Sequence, residues 1–463
     1  MTVAASCNRR LIGAILIVPL LFVCANAAEP TLIGSGSCAT STCHGGVIDQ
    51  GPAWNHSLST WTAKDPHAGA GMLLRDEDSR RIVIALNSKA AKSPEVFDTV
   101  LRSRCISCHA TSTPELCNET GLLDDSVLVS GVSCESCHGA ASEWLDPHLQ
   151  ASWAGPQRFE PATGMIDTES IVGRSETCVR CHIGSRTANG MVRDMNHDII
   201  AAGHPALRFD ALLYNENLPK HWNVSGAVEN EFSASPVRTR AVGRAINLAA
   251  AASLSAERAA GHLKDRKVPW PELSDYDCFA CHQSLSMQEY NLPSTDTNKS
   301  PLQVSDGLPV WNSWHTNNQA QFRGNRPLLE RLSPHLSKPE DVIAVATRIA
   351  ELQRVKAADY SKQTYDAKVR MTEALRALAA SPPHDWHQAA VTYLELDAAT
   401  RQLEMDAEMA DKAAKIRQVL SEVEQLLRFD QQAAEGTASV FDSPVRFDPQ
   451  QFQKFVLNRL SKI

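Results

Sequence analysis

Four short segments of the sequence place two cysteines and a histidine at one fixed spacing, Cys-x-x-Cys-His. They occupy residues 105–109, 134–138, 178–182 and 278–282. With 13 cysteines and 16 histidines in 463 residues, random placement would give only about 0.01 such pentapeptides. The repeated spacing therefore indicates a shared chemical function.

This pentapeptide has the spacing at which haem is attached to protein. Its two cysteines form thioether bonds with the haem vinyl groups, and the adjacent histidine binds the iron as the proximal ligand. Half of a zinc site or a redox dithiol would also use Cys-x-x-Cys, but neither needs a histidine directly after the second cysteine. We therefore predict haem c at all four segments. The predicted thioether residues are Cys105, Cys108, Cys134, Cys137, Cys178, Cys181, Cys278 and Cys281, and the predicted proximal ligands are His109, His138, His182 and His282.

A fifth segment keeps the Cys-His end but has a longer spacer. Cys38 and Cys43 are separated by four residues, and His44 follows. Such a loop can reach both vinyl groups if it bulges away from the ring, whereas the alternative is a small disulfide loop. We expect five haems, or four if Cys38, Cys43 and His44 hold none. The segments are numbered in chain order, so residues 38–44 are site 1 and residues 278–282 are site 5.

The first 28 residues resemble a secretory signal peptide. Arg9 and Arg10 precede an unbroken apolar run at residues 11–23, and Ala25-Asn26-Ala27 supplies a small-x-small cleavage pattern. The run is short for a membrane span, so we expect cleavage after Ala27 or Ala28 and a periplasmic or otherwise exported protein that does not span the membrane. An uncleaved N-terminal anchor is the alternative. The net charge of −8 and the lack of a basic patch argue against nucleic acid as a partner.

A low-spin haem used for electron transfer needs a second strong axial ligand, either histidine or methionine. Eleven histidines lie outside the five attachment segments, and most of those at residues 56–221 are interleaved with them. They are His56, His67, His148, His197, His204, His221, His262, His315, His335, His384 and His387.

Several stretches resemble the cytochrome c-554/c-prime family of multihaem cytochromes and its larger relatives with a helical C-terminal region. The similarity runs from about residue 32 to 285 and includes the W-T-A-K-D-P-H stretch at 61–67, Gly131 to His148, the D-M-N-H-D stretch at 194–198, and Ala202-Gly-His204-Pro. The four-residue spacer of site 1 departs from the usual pattern. The resemblance implies a haem-packed, mostly helical electron-transfer domain. It also implies distal iron ligands at His67, His148 and His204, followed by His197 and His221.

The rest of the chain has helical patterns. Ser235 and Pro236 begin an alanine-rich helix that runs to Leu263. Further helical patterns cover residues 339–380 and 386–428, and Asp448 and Pro449 begin a closing helix with an apolar stripe. The fold class is therefore all-α: a multihaem cytochrome c domain (29–290) with little regular strand, a linker (291–311) and a C-terminal helical bundle (312–463).

These features favour an electron carrier or relay that exchanges electrons with redox protein partners. The first alternative is a multihaem oxidoreductase in which one iron keeps an open position for a small nitrogen or sulfur oxyanion. No Cys-x-x-Cys-Lys segment is present, so that alternative would use a histidine-ligated iron. The second alternative is a subunit of a larger electron-transfer complex, and it depends on the helical C-terminal region.

Overall fold

The computed structural model describes residues 29–150, 152–153, 155–186, 191–222, 235–276, 278, 312–316, 338–383, 385–428 and 447–463. Regular structure in these ranges is almost entirely helical. Its one sheet pairs the antiparallel strands β1 (Ser185–Arg186) and β2 (Val192–Arg193), which confirms the all-α prediction. The predictions for the leader 1–28, the linker 291–311, Cys281, His282, His335 and His384 lie outside the described residues.

The described residues between 29 and 222 form short helices joined by turns. Serine and asparagine caps begin several of them: Ser93 Oγ accepts from Val96 N (3.3 Å), Ser170 Oγ from Gly173 N (3.0 Å) and Asn196 Oδ1 from Ile199 N (3.1 Å). The α-helices are α1 (Ser57–Lys64), α2 (Pro66–Gly69), α3 (Glu77–Leu86), α4 (Pro94–Arg104), α5 (Ile106–His109), α6 (Pro114–Asn118), α7 (Asp125–Val129), α8 (Cys134–His138), α9 (Ile171–His182), α10 (His197–Ala201) and α11 (Ala211–Asn217). Single 3-10 turns lie at Ser35–Cys38, Ala53–His56, Met72–Arg75, Ser88–Ala91, Pro147–Leu149, Pro156–Phe159, Pro161–Thr163 and Leu273–Asp275.

A long helix, α12 (Pro236–Lys264), connects the two halves of the described chain. Ser235 Oγ caps it by accepting from Arg238 N (3.3 Å), and Pro236 occupies the first turn, as the sequence predicts. One part of α12 packs on α9, and another packs along the C-terminal helix α14 (Pro339–Ser361). Alanines dominate the contact with α14, so the two helix backbones can approach closely.

The C-terminal helices are α13 (Ser313–Thr316), α14, α15 (Ala367–Ala380), α16 (Trp386–Glu404), α17 (Ala410–Leu427) and α18 (Pro449–Leu460). The sequence predicts continuous helical patterns at 339–380 and 386–428, but the structure divides each into two helices. Aspartates explain both breaks. Asp366 Oδ1 accepts from Lys368 N (2.7 Å) and begins α15, whereas Asp406 Oδ1 accepts from Glu408 N (3.0 Å) in the turn after α16.

Helices α15 to α18 share one apolar core. Phe452, Val456 and Leu460 of α18 are buried in it beside Ile416, Val419 and Val423 of α17, which confirms the predicted apolar stripes. Arg240 of α12 adds a buried polar link, because it bonds Asp210, which caps α11, and the Val391 carbonyl of α16 (3.0 Å). The helices near the attachment sites are therefore fixed against the C-terminal helices.

We expect Leu420→Ala to lower the free energy of unfolding by about 2–5 kcal/mol. Leu420 is fully buried in α17, so its removal leaves a cavity that the surrounding helices only partly fill. Val369→Ala in α15 is the matched control, because Val369 is 51 % exposed, and we expect a change within about 0.5 kcal/mol. Thermal and denaturant unfolding would measure both. Equal effects of the two substitutions would contradict the shared core.

Within the described part of the chain, no helix combines the length and the apolar character needed to cross a membrane.

Candidate haem-binding sites

Sites 2, 3 and 4 each end a short helix or helical turn. Site 2 lies on α5 with Cys105 at its N-cap, site 3 forms α8, and site 4 forms the last turn of α9. In a helix, residues three and four apart lie on the same side. The helical turn therefore brings both cysteines and the histidine of each pentapeptide to one face.

Site 1 reaches a similar arrangement through a loop. The Cys38 carbonyl accepts from His44 N (3.3 Å), and the Thr40 carbonyl accepts from Cys43 N (3.0 Å) and Gly45 N (2.9 Å). These bonds fold the four spacer residues outward and return Cys43 and His44 to Cys38. Gly45 permits the fold, since a Cβ atom there would lie 2.1 Å from the Ala39 carbonyl oxygen.

Each proximal histidine in the described ranges lies near one histidine from a distant part of the chain. The ring centres are 6.3 Å apart for His44 and His148, 6.2 Å for His109 and His204, 6.3 Å for His138 and His221, and 6.0 Å for His182 and His67. Of the five predicted distal residues, four therefore lie opposite a predicted proximal residue.

Hydrogen bonds orient three proximal rings. His44 Nδ1 bonds the Trp54 carbonyl (2.6 Å), His109 Nδ1 bonds the Ala70 carbonyl (3.0 Å), and His138 Nδ1 lies 3.3 Å from Thr168 Oγ1. A bond at Nδ1 fixes the ring and leaves Nε2 for another partner.

The four opposing rings are oriented in the same way. His67 Nδ1 bonds Asp65 Oδ1 (2.8 Å), and the Nδ1 atoms of the others bond backbone carbonyls. The carbonyl partners are Pro205 for His204 (2.9 Å), Pro219 for His221 (3.2 Å), and both Leu145 and Trp144 for His148, the latter at 3.3 Å.

Burial keeps several of these imidazoles neutral. Burial lowers the pKa of His138 and of His182 to about 4, with smaller contributions from His221 and His67 respectively. It also lowers the pKa of His109 and of His221. His67 differs, because the hydrogen bond that its Nδ1 donates to the Asp65 carboxylate raises its pKa. A neutral imidazole has a lone pair available for a metal ion.

The cysteines of different sites are also neighbours. A hydrogen bond between Cys108 and Cys181 raises the pKa of Cys108 and lowers that of Cys181. Burial, with smaller contributions from the thiols of site 4, raises the pKa of Cys137 to about 12. Burial and then Cys38 raise the pKa of Cys134 to about 11. None of the ten described cysteines forms a disulfide bond with another described cysteine.

His197 is not opposite any of these four proximal histidines. Its backbone N–H donates to Glu272 Oε1 (2.8 Å), near the Asp275 that precedes site 5. Arg258 links the same region, because it donates to both Asp194 and Asp275. Of site 5 itself, Cys278 is described, and its predicted proximal ligand is not. The prediction for His197 therefore stays open.

Two residues of this region were not predicted from the sequence. Asp65 bonds His67, and Trp54 bonds His44 through its carbonyl and contacts the His44 ring edge-on at 6.1 Å. The Asp-Pro-His spacing contains a signal for the first, since an aspartate two residues before a helical position commonly caps the turn. No comparable sequence signal indicates the bond between the Trp54 carbonyl and His44, because every residue has a backbone carbonyl.

Comparison with known families finds one match. Residues 37–139 match the family model described as cytochrome c554 and c-prime. The match contains sites 1 and 2 and all of site 3. No curated protein and no solved structure matches the chain.

Proposed function

With a cytochrome c554 and c-prime segment at residues 37–139, the chain is a haem-containing electron-transfer cytochrome, and we propose that it is an exported relay with haem c at all five sites. Covalent haem supplies one-electron chemistry between the ferric and ferrous states of its iron. The protein fixes the positions of the irons, their axial ligands and their burial. The leader-like residues 1–28 support export, and redox proteins are the expected partners.

The four histidine pairs carry this proposal. Two metal–nitrogen bonds of about 2 Å, with an imidazole radius of about 1 Å on either side, separate two ring centres by about 6 Å. The observed separations of 6.0–6.3 Å fit one iron between the rings of each pair. The proposed proximal and distal ligands are His44 with His148 at site 1, His109 with His204 at site 2, His138 with His221 at site 3, and His182 with His67 at site 4.

The neighbouring cysteines suggest the order of the relay. Cys38 of site 1 affects the pKa of Cys134 in site 3, the cysteines of site 4 affect the pKa of Cys137 in site 3, and Cys181 of site 4 affects the pKa of Cys108 in site 2, so these thiols are within electrostatic reach of one another. We therefore propose the spatial order 1–3–4–2, which differs from the order along the chain. Asp275, which precedes site 5, shares Arg258 with Asp194. Asp194 directly follows Arg193, whose side chain donates to the Ser107 carbonyl of site 2 (2.7 Å). That contact favours a position for site 5 beside site 2.

We include site 1 among the proposed haem sites because its loop brings Cys38, Cys43 and His44 together. The bond from His44 N to the Cys38 carbonyl joins the two ends of the segment, and His44 has an opposing histidine as the regular sites have. A disulfide loop with an incidental histidine would give no reason for that pairing. We therefore retain the count of five.

Two imidazoles at an iron leave no position for a substrate, so the pairs at sites 1 to 4 favour a carrier over an enzyme. Low-temperature electron paramagnetic resonance of the oxidised protein tests this conclusion. We expect low-spin ferric signals from sites 1 to 4, and no binding of carbon monoxide or nitrite at those irons. High-spin signals from two or more irons would contradict the proposed ligand pairs and would favour the oxidoreductase alternative.

We expect Asp65→Asn to raise the midpoint potential of the site 4 haem by tens of millivolts, where about 59 mV corresponds to tenfold for one electron. The Asp65 carboxylate accepts from His67 Nδ1, which makes that imidazole a stronger donor to ferric iron. The uncharged amide of asparagine would stabilise the ferric iron of site 4 less than the carboxylate does. Spectroelectrochemical titration would measure the shift, and Asp359→Asn, at an exposed position of α14, is a matched control. Unchanged potentials in both variants would exclude this role for Asp65.

A further inference from the structure

Site 1 is bordered by an apolar surface that the relay does not explain. Trp54 is 49 % exposed, Val47 is 63 % exposed and Leu149 is 70 % exposed. Trp54 contacts the His44 ring, Val47 follows His44 by three residues, and Leu149 directly follows His148. The three side chains therefore lie around the proposed iron ligands of site 1, and we call their surface the site-1 face.

The exposed charges around the site-1 face are mostly acidic. Residues 29–64 and 140–150 contain four exposed acidic residues and one exposed lysine, Lys64. Hydrogen bonds between Thr31 and Ser142, in both directions, hold the first residues of one range against the other. The acidic residues are Glu29, Asp49, Glu143 and Asp146.

These acidic side chains differ from those near site 2. There, Met72, Leu73, Leu122 and Val129 are also exposed, but several neighbouring acids are already paired: Arg75 bonds Asp98 and Asp125, and Arg81 bonds Asp78. In the described part of the chain, none of the four acids around the site-1 face forms an ion pair with an arginine or lysine. Their charge is available to an approaching protein.

We propose that the site-1 face is the docking surface for a small electron-carrier protein whose own contact surface is basic. This inference rests on the proposed relay, since it assigns a partner to the terminal site of the order 1–3–4–2. An exposed tryptophan with apolar neighbours inside a charged rim is a common composition for a protein contact. The acidic rim guides a basic partner to the surface and sets its orientation, and Trp54 places the contact beside His44.

A charge-reversal variant tests this docking surface. It combines Glu143→Lys and Asp146→Lys with Asp49→Asn, because Asp49 has φ of 63° and asparagine tolerates that conformation better than lysine. The control combines Asp359→Lys on α14, Glu408→Lys in the turn after α16 and Asp411→Asn on α17, all at exposed positions, and it changes the net charge by the same amount. The probe is a basic mitochondrial cytochrome c in its oxidised form, which is mixed with the reduced protein in a stopped-flow instrument.

We expect the site-1 variant to lower the second-order rate roughly tenfold at low ionic strength, and to weaken the fall of that rate with added salt. The control should react as the wild-type protein does. Ferricyanide, a small anion that needs no protein contact, should not react more slowly with the site-1 variant than with the control. Leu149→Ser tests the apolar side chains of the site-1 face, and Val369→Ser on α15 is its control. We expect Leu149→Ser to lower the rate of electron transfer at high salt several-fold relative to that control.

Equal rates for the site-1 variant and the control, at every salt concentration, would overturn the proposed surface. Failure of the relay itself would look different, because the wild-type protein would then show no haem absorbance that dithionite could reduce. Haem content and low-spin signals of each variant, measured beforehand, show that the variant has folded with its haems.

Discussion

His221→Ala should convert one low-spin haem of the oxidised protein into a high-spin haem. His221 is the ring opposite His138, and its Nδ1 is held by the Pro219 carbonyl. Alanine leaves the site 3 iron with His138 as its one strong axial ligand, and a single imidazole does not produce a low-spin state. Electron paramagnetic resonance would detect the loss of one low-spin signal and the gain of one high-spin signal.

Two further measurements make this prediction specific. Free imidazole added to the variant should restore the low-spin signal, because it can occupy the position that His221 leaves. His387→Gln is the matched control: His387 Nε2 accepts from Arg208 Nε (3.2 Å), so that nitrogen already has a protein partner. The control should keep the wild-type spectrum. A His221→Ala spectrum identical to that of the wild-type protein would show that His221 is not the distal ligand.

The chain produced without haem attachment should lose the structure of residues 29–222 and keep its C-terminal helices. Within 29–222 the helices are short, from four residues in α2 to twelve in α9, and isolated helices below about 12 residues are unstable in water. Helices α15 to α18 instead share a continuous apolar core. The short helices have a smaller apolar cluster of their own, which includes Leu101, Ile106 and Leu128, and covalent haem would add the apolar contacts that stabilise them.

Hydrogen exchange would measure this difference. Amides of α4 and α9 should exchange roughly 100-fold faster or more in the haem-free protein than in the haem-loaded protein, whereas those of α16 and α17 should change little. The haem-loaded protein is the control for both regions. Retained protection of α4 and α9 without haem would show that polypeptide contacts alone hold the attachment region together.

Local features of the fold were accessible from the sequence because their causes are local. Ser235 and Pro236 indicate the start of α12, and Asp448 and Pro449 indicate that of α18. The breaks after α14 and α16 were missed because neither contains glycine or proline. Asp366 and Asp406 were the available signals, since an aspartate that bonds a following backbone N–H ends or restarts a helix.

The pairing of histidines could not be predicted in the same way. His67 lies opposite His182, and His44 lies opposite His148, so each pair joins segments that are more than a hundred residues apart. Such contacts depend on the packing of the whole region and leave no spacing pattern in the sequence. His221 and His197 show the consequence, because the sequence ranks them together, whereas the structure brings only His221 opposite a described proximal histidine.

Mass spectrometry of the intact exported protein and of its tryptic peptides most directly tests whether haem is bound covalently at the repeated Cys-His segments. We expect the polypeptide mass plus five haems, with haem-bearing peptides from Cys38 to His44 and from each of the four Cys-x-x-Cys-His sequences. At site 4 the haem joins two peptides, because trypsin cuts after Arg180. A colourless protein with the mass of its polypeptide alone, isolated from cells with an active haem-attachment system, would contradict covalent haem binding.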